Sequence, residues 1–385
     1  MSKHDFSSAE FRDRLARARK AVAGAGLDWM ILFHPVSILW LTGGEAKSYR
    51  AFQCLFVAAD DRKLTMLTNG TDVAEWQDDS LTDEVIGYAG PEPEDPLEVF
   101  ARVARDKGLL NARVGIEVPG YLHPHQYLRI RDILGAALVA EPSNLIHELK
   151  APKSEAELHY IREAAKRGDA AMESLFATIR DGVMELELAA EVHRSLLAAG
   201  CTLPASQMNL VTGDRLCYPI GGPTQRRMKR GDAGTVEVGA AFHRYTATLG
   251  RQFSLGEPSA RVREIFAVVK EAGEAMLTEI RDGVPATAPH EAAKRVIAKA
   301  GYDRYRLHTS GYGLVPGFPP SWGDPTINLF GGSKSVLRTG MIVTIEPPVF
   351  IHEERIGARM IDNVIVTATG YELLSRIPRE IAIRG

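Results

Sequence analysis

Apolar and polar positions divide the chain into legible elements. Residues 8–25 have the spacing of an amphipathic helix, with serines before it and Gly26 after it. Short apolar runs of strand length follow at Trp29 to Phe33, Cys54 to Ala58 and Leu64 to Leu67. Helical patterns at 96–107 and 122–134 then alternate with strand-like Val114 to Ile116 and Ala137 to Val139. This alternation predicts an α/β domain. The pattern breaks at Ala151-Pro152-Lys153. Ser154-Glu155-Ala156-Glu157 then reads as a capping box, in which serine and glutamate each satisfy an orphan backbone donor. A long helix is predicted from there to about Ile179. The expected domains are therefore 1–150 and 151–385.

The second domain contains an internal repeat. Ile179-Arg180-Asp181-Gly182-Val183 returns unchanged as Ile280-Arg281-Asp282-Gly283-Val284. Each copy follows a long helical pattern and precedes a second one, and those end alike at Ala198-Ala199-Gly200 and Lys299-Ala300-Gly301. The period is far too long for a solenoid and indicates a duplicated half-domain. Strands repeat as well. With Gly231 set on Gly340, Thr235 falls on Thr344, Val236 on Ile345 and Glu237 on Glu346. In both halves a glutamate interrupts an apolar strand. A carboxylate on a buried strand is costly unless paired or hydrogen-bonded. Two at equivalent positions, brought together about a pseudo-twofold axis, point to a site more than to two edge residues facing water.

Composition narrows the classes without naming a chemistry. The chain has 385 residues, 45% apolar and 25% charged, with a formal net charge of −3, an ordinary globular balance. A basic footprint for nucleic acid or an anionic membrane surface is absent, and no apolar run approaches the length that spans a bilayer. Three widely spaced cysteines, Cys54, Cys201 and Cys217, form neither a disulfide framework nor a zinc pattern. The start carries no apolar stretch, so no leader is expected and the default location is cytoplasmic.

At the level of motifs the sequence resembles the creatinase, prolidase and methionine-aminopeptidase superfamily, the pita-bread fold. Trp40-Leu41-Thr42-Gly43, the Gly231-Asp232 strand entry, Arg251-Gln252-Phe253 and Leu337-Arg338-Thr339-Gly340-Met341 followed by Glu346-Pro347 carry the resemblance. It implies an α+β chain: a creatinase-like α/β N-terminal domain, then a pita-bread catalytic domain with the pseudo-twofold repeat. Peptidases of that superfamily hold two metal ions with five ligands. Those positions fall here on Glu237, Thr248, Tyr312, Glu346 and Ile361. Threonine, tyrosine and isoleucine do not replace carboxylate or imidazole ligands, so the dinuclear site is expected to be lost, with no metal and no cofactor. His308, near a strand end, is read as structural or exposed.

More narrowly, the segment from Gly311-Tyr312-Gly313-Leu314 through Trp322-Gly323 to Thr326, with Ser48-Tyr49 and Gln53-Cys54, resembles ectoine hydrolases. The loop Leu216-Cys217-Tyr218-Pro219-Ile220 lacks the histidine usual in the superfamily. The resemblance implies a metal-independent hydrolase opening the C–N bond of a cyclic amidine such as ectoine. A cationic amidinium would then offset the two glutamates. Glu237 would attack the carbon or activate water. Glu346 would pair with the amidinium and move the proton. Tyr312 and Thr248 would supply hydroxyls. Tyr245 and Trp322 would be apolar walls, or simply core. Arg359 would bind the substrate carboxylate, or pair with Asp362 or another acid. A homodimer is implied, with Trp40 and Tyr49 reaching the partner's site. The alternatives are an Xaa-Pro dipeptidase-like metallopeptidase with a degenerate metal site, a creatinase-like amidinohydrolase, and a non-catalytic binding protein.

Overall fold

All four residues of the strand Trp29–Leu32 (β1) are buried, which requires packing on both faces of its sheet. In the computed structural model, which describes residues 2–45, 48–118 and 120–385, both faces are covered. With β2 (Cys54–Ala58), β3 (Thr65–Asn69), β4 (Glu84–Tyr88), β5 (Val114–Ile116) and β6 (Leu138–Ala140), it forms a six-stranded mixed sheet ordered β4-β3-β2-β1-β5-β6. Period-two alternation sends Ile31 and Phe56 to one face, against Phe100, Val103 and Leu134 from the helices Pro96–Asp106 and Pro124–Leu134. Met30, Leu32 and Leu55 meet Ala18, Val22 and Trp40 on the other. This is the first of two compact units, Met1–Lys150 and Ala151–Gly385.

Two residues read as reaching a partner's site lie in this unit. Trp40 is 1% exposed in the helix Pro35–Thr42, every residue of which is buried. The Arg14 and Arg17 guanidinium groups stack on its ring. It is a core side chain of this unit. Tyr49 is half-buried in a turn, 6.0 Å from the Tyr121 ring.

The second unit carries the repeat in its backbone. Ser154 caps the helix Glu155–Thr178 through a closed capping box, with Glu157 bonding back to the Ser154 amide at 3.0 Å. The strands are β7 (Asn209–Thr212), β8 (Ala233–Phe242), β9 (Tyr245–Leu255), β10 (Tyr312–Phe318), β11 (Ser321–Asn328), β12 (Ile342–Ile345), β13 (Pro348–Ile351), β14 (Ile356–Arg359), β15 (Asp362–Val366), β16 (Tyr371–Leu373) and β17 (Ala382–Arg384). They form sheets ordered β17-β9-β8-β7 and β11-β10-β12-β15-β16, with β13 and β14 as a separate pair. The helix Glu155–Thr178 packs on β8 and β9, and Glu185–Ala198 packs on that helix and on β7. The helices Ala260–Thr278 and Thr287–Lys299 pack on the other half.

Equivalent turns close identically. The Gly182 amide bonds the Met228 carbonyl at 2.9 Å, and the Gly283 amide bonds the Leu337 carbonyl at 2.8 Å. Gly231 and Gly340 start the two glutamate-bearing segments at φ +93° and +85°, a region that glycine enters freely. Gly231 bonds Leu255, which bonds back to Asp232; Gly340 bonds Val366, which bonds back to Met341. Between the halves, Gly250 and Ile361 exchange both backbone hydrogen bonds at 3.0 Å.

Candidate active site

Strand β8 reads as a buried apolar strand apart from one acid, and all its residues up to Ala241 are buried. Its register sets Glu237 opposite Gly250 on β9 and opposite Asn209 on β7. The Asn209 side-chain amide donates to Glu237 Oε2 at 2.6 Å. Glu346 follows β12 directly and is fully buried, its backbone amide bonded to the Ser310 carbonyl. One guanidinium joins the two acids. Arg359 Nη2 lies 2.9 Å from Glu237 Oε2 and 3.3 Å from Glu346 Oε2, while its Nη1 donates to the Pro219 carbonyl at 3.0 Å.

Two buried carboxylates and one guanidinium leave one negative charge in excess. Burial pushes the Glu346 carboxyl up to about 8; Arg359 opposes that shift and Glu237 adds to it. Near neutral pH Glu346 therefore holds a proton. Burial works against the Arg359 charge, but Glu237 and Glu346 outweigh it and hold the guanidinium protonated. The Tyr312 phenol is pushed well above its ordinary value, by burial first and then by Glu346 and Glu237. Its oxygen accepts from the Trp322 indole at 3.1 Å. Trp322 seats over Gly239, where a Cβ would stand 2.6 Å from the ring.

Glu237, Tyr312, Trp322 and Arg359 line one cavity of about 540 Å³, together with His308. His308 was read as structural or exposed, and that reading is corrected. Its Nδ1 lies 3.5 Å from Glu346 Oε1. Burial, then Arg359, lowers its pKa and leaves a neutral imidazole. The signal for it was its position just ahead of β10, which also delivers Tyr312. Asn209 was missed altogether; no local pattern marks a residue that acts only on a neighbouring strand.

Other expected contacts are not made. Thr248 is 2% exposed and accepts from the Asn363 amide at 2.9 Å, away from this cavity. Tyr245 is 1% exposed, donates to Glu157 at 2.8 Å and stacks on Tyr160; it is core. Arg359 is held by the two glutamates and is not free for a substrate carboxylate. Its suggested partner Asp362 is taken by Arg251 at 2.7 Å and Arg379 at 3.0 Å.

The donor set does not fit a pair of divalent ions. Among the described residues no group of three or more His, Cys, Asp and Glu side chains stands in a metal-holding arrangement. At the last ligand position Ile361 packs where a Gly250 Cβ would be, 2.5 Å from it. The cation beside the glutamates is Arg359.

Glu346 makes stability depend on pH. Its folded value, about 8, lies above the ordinary 4.5, so between them the folded chain holds a proton that the unfolded chain has released. That stabilisation is full below about 4.5 and is lost as pH rises through about 8. In Glu346→Gln this dependence is expected to vanish. Urea unfolding across the window would show wild type losing stability relative to the variant; parallel curves would refute the assignment.

Comparison with known proteins places the chain in a known family. Residues 159–368 match the family described as metallopeptidase family M24, and residues 14–150 match the creatinase/prolidase N-terminal domain. A Pyrococcus horikoshii protein named Xaa-Pro dipeptidase is 28% identical over 289 residues, covering 74% of this chain and 80% of that one. The Xaa-Pro dipeptidase structure from Bacillus anthracis superposes with a TM-score of 0.84 at 25% identity, over 97% of this chain and all of its own. Dipeptidase PepE from Mycobacterium ulcerans, 24% identical, shares the fold at a TM-score of 0.86, over 98% of this chain and 99% of its own. These similarities overturn the expectation of an ectoine-type amidine hydrolase acting on non-peptide C–N bonds. The physical reason for expecting a cationic substrate also falls, because Arg359 already supplies the cation.

Proposed function

Because the chain belongs to metallopeptidase family M24 and carries a creatinase/prolidase N-terminal domain, we propose that it is a dipeptidase-like hydrolase with a degenerate metal site, acting on the peptide bond of a short peptide. The observation that carries this reading is the convergence of Glu237, His308, Tyr312 and Arg359 on one cavity of about 540 Å³, a size suited to a small ligand. The names of the dipeptidase relatives support the substrate class.

The chemistry follows from the side chains present. Water oxygen bonds to the peptide carbonyl carbon while its proton passes to the Glu237 carboxylate. The C–N bond breaks as Glu237 passes that proton on to the leaving nitrogen, which returns the carboxylate to its starting form. Arg359 holds positive charge beside the carbonyl oxygen as negative charge grows there. Tyr312, kept as a neutral phenol, orients the peptide by hydrogen bonding.

A second reading, a peptide-binding protein without turnover, is favoured by Thr248, Tyr312 and Ile361 at three positions where the resemblance places metal ligands. Incubation with Xaa-Pro and other dipeptides, with and without Mn²⁺, followed by mass spectrometry of free amino acids, separates the two. Release of amino acids supports the peptidase; binding with no release leaves the binding protein. Metal analysis of the same samples is expected to find less than one tightly held ion per chain. A cytoplasmic homodimer is the assembly we expect, and light scattering checks the dimer. No helix among the described residues is long and apolar enough to cross a membrane.

A further inference from the structure

We propose that Glu185 is a positioning residue: it fixes Arg359 through the loop 213–223, although it does not itself line the Glu237 cavity. Its effect on turnover rests on the peptide reading above. Glu185 opens the helix Glu185–Ala198 and is fully buried. A buried carboxylate is costly unless its oxygens are bonded, and both of these are. Oε1 accepts from the amide and the hydroxyl of Thr212, each at 2.8 Å. Oε2 accepts from the amide and the hydroxyl of Thr224, at 2.9 and 2.7 Å, and from the Arg215 guanidinium. Thr212 ends β7 and Thr224 lies just past the loop, so one carboxylate ties the two ends together. Arg215 braces the interior by donating to the Gly222 carbonyl at 2.8 Å. Hydrogen bonds to a charged acceptor are roughly twice as strong as neutral ones. The charge also sits at a helix N-terminus, where the backbone dipoles favour it.

The middle of the loop meets the charge cluster. The hairpin of β13 and β14 grips it at two successive residues. Arg355 donates to the Tyr218 hydroxyl at 3.2 Å, and Arg359 donates to the Pro219 carbonyl at 3.0 Å. Between these two arginines, Gly357 comes so close that a Cβ there would stand 2.7 Å from the Leu216 carbonyl oxygen. Arg355 takes φ +55°, a conformation that a side chain of this kind keeps only where its surroundings impose it. The Arg359 guanidinium is thus held as a fork. Its Nη2 lies on Glu237 and Glu346, and its Nη1 on the loop. The link runs from Glu185 to the loop ends, from the loop to the Pro219 carbonyl, and from there to Arg359. If the ends part, the carbonyl withdraws and the guanidinium turns about its contacts with the acids. Its charge then leaves the place where it meets the peptide carbonyl oxygen.

Thermal unfolding of the full chain tests this link without any substrate. Glu185→Gln and Arg359→Lys are made singly and together. Each weakens the bond to Pro219, so the double variant is expected to lose less than the sum of the two single shifts in unfolding temperature, by about 2 °C or more. Thr224→Val drops one hydroxyl and keeps the amide; it replaces Glu185→Gln in the cycle if that variant does not fold. Additive shifts overturn the proposal. For any dipeptide that the wild type cleaves, Glu185→Gln, or Thr224→Val in its place, is expected to lower kcat on the order of ten-fold or more and to leave KM nearly unchanged. An unchanged kcat overturns the positioning role, as does a loss confined to KM. Non-additive shifts in a chain that cleaves no dipeptide sustain the link from Glu185 to Arg359 and sink the peptidase reading alone.

Discussion

Replacing Arg359 by alanine is expected to destabilise the 151–385 unit by about 3–5 kcal/mol, the usual cost of stripping one partner from a buried ion pair. For a unit of this size that corresponds to a fall on the order of 10 °C in unfolding temperature. The guanidinium is the one cation touching both Glu237 and Glu346 among the described residues. Without it, two desolvated carboxylates face each other, and Glu346 must hold its proton still more tightly. Arg359→Lys keeps a charge but loses the planar fork that reaches both acids and Pro219, so it should fall between wild type and alanine. Thermal unfolding measures this. A loss below about 1 kcal/mol, as for an exposed pair, would mean that Arg359 does not hold the site together.

Glu237→Gln is expected to lower the turnover of any cleaved peptide by about 10²–10⁴-fold, the range for removal of a general base. Binding should change far less, since glutamine has nearly the same shape and keeps an oxygen for Asn209. The variant has a second readout independent of turnover. The Glu237 charge helps to raise Glu346, so its removal should move the Glu346 midpoint below about 8. The pH range over which stability declines would then narrow. Full activity in Glu237→Gln would remove this residue from the reaction.

Much of the fold was legible because the repeat is written in residues with strict backbone demands. Gly182, Gly283, Gly231 and Gly340 all take positive φ, and each sits in the motif copies that sequence comparison finds. The juxtaposition of Glu237 with Glu346 follows from that symmetry. What escaped was whatever depends on contacts between distant segments. Arg359 was read as a substrate clamp or as the partner of an acid, but which acids it meets is set by the hairpin of β13 and β14, which carries it between Glu237 and Glu346. Trp40 carries a family motif but serves the core of the first unit. Thr248 aligns with a ligand position, and its hydroxyl is turned to Asn363 on β15. The functional expectation failed for the same reason: a missing cation was assigned to the substrate when the chain supplies its own.

The exchange of hydrogen bonds between Gly250 and Ile361 gives the duplication a further meaning. One copy of the ancestral unit contributes Glu237, and the other contributes Glu346 and Arg359. Neither copy alone contains both acids. The cluster is therefore a clasp across a seam: a separation of the halves by a few ångströms would unpair the acids and break the backbone bridge together. A ligand resting on both sides would tighten that seam by mass action. The Gly250 and Ile361 amide protons sit where such breathing would be felt first.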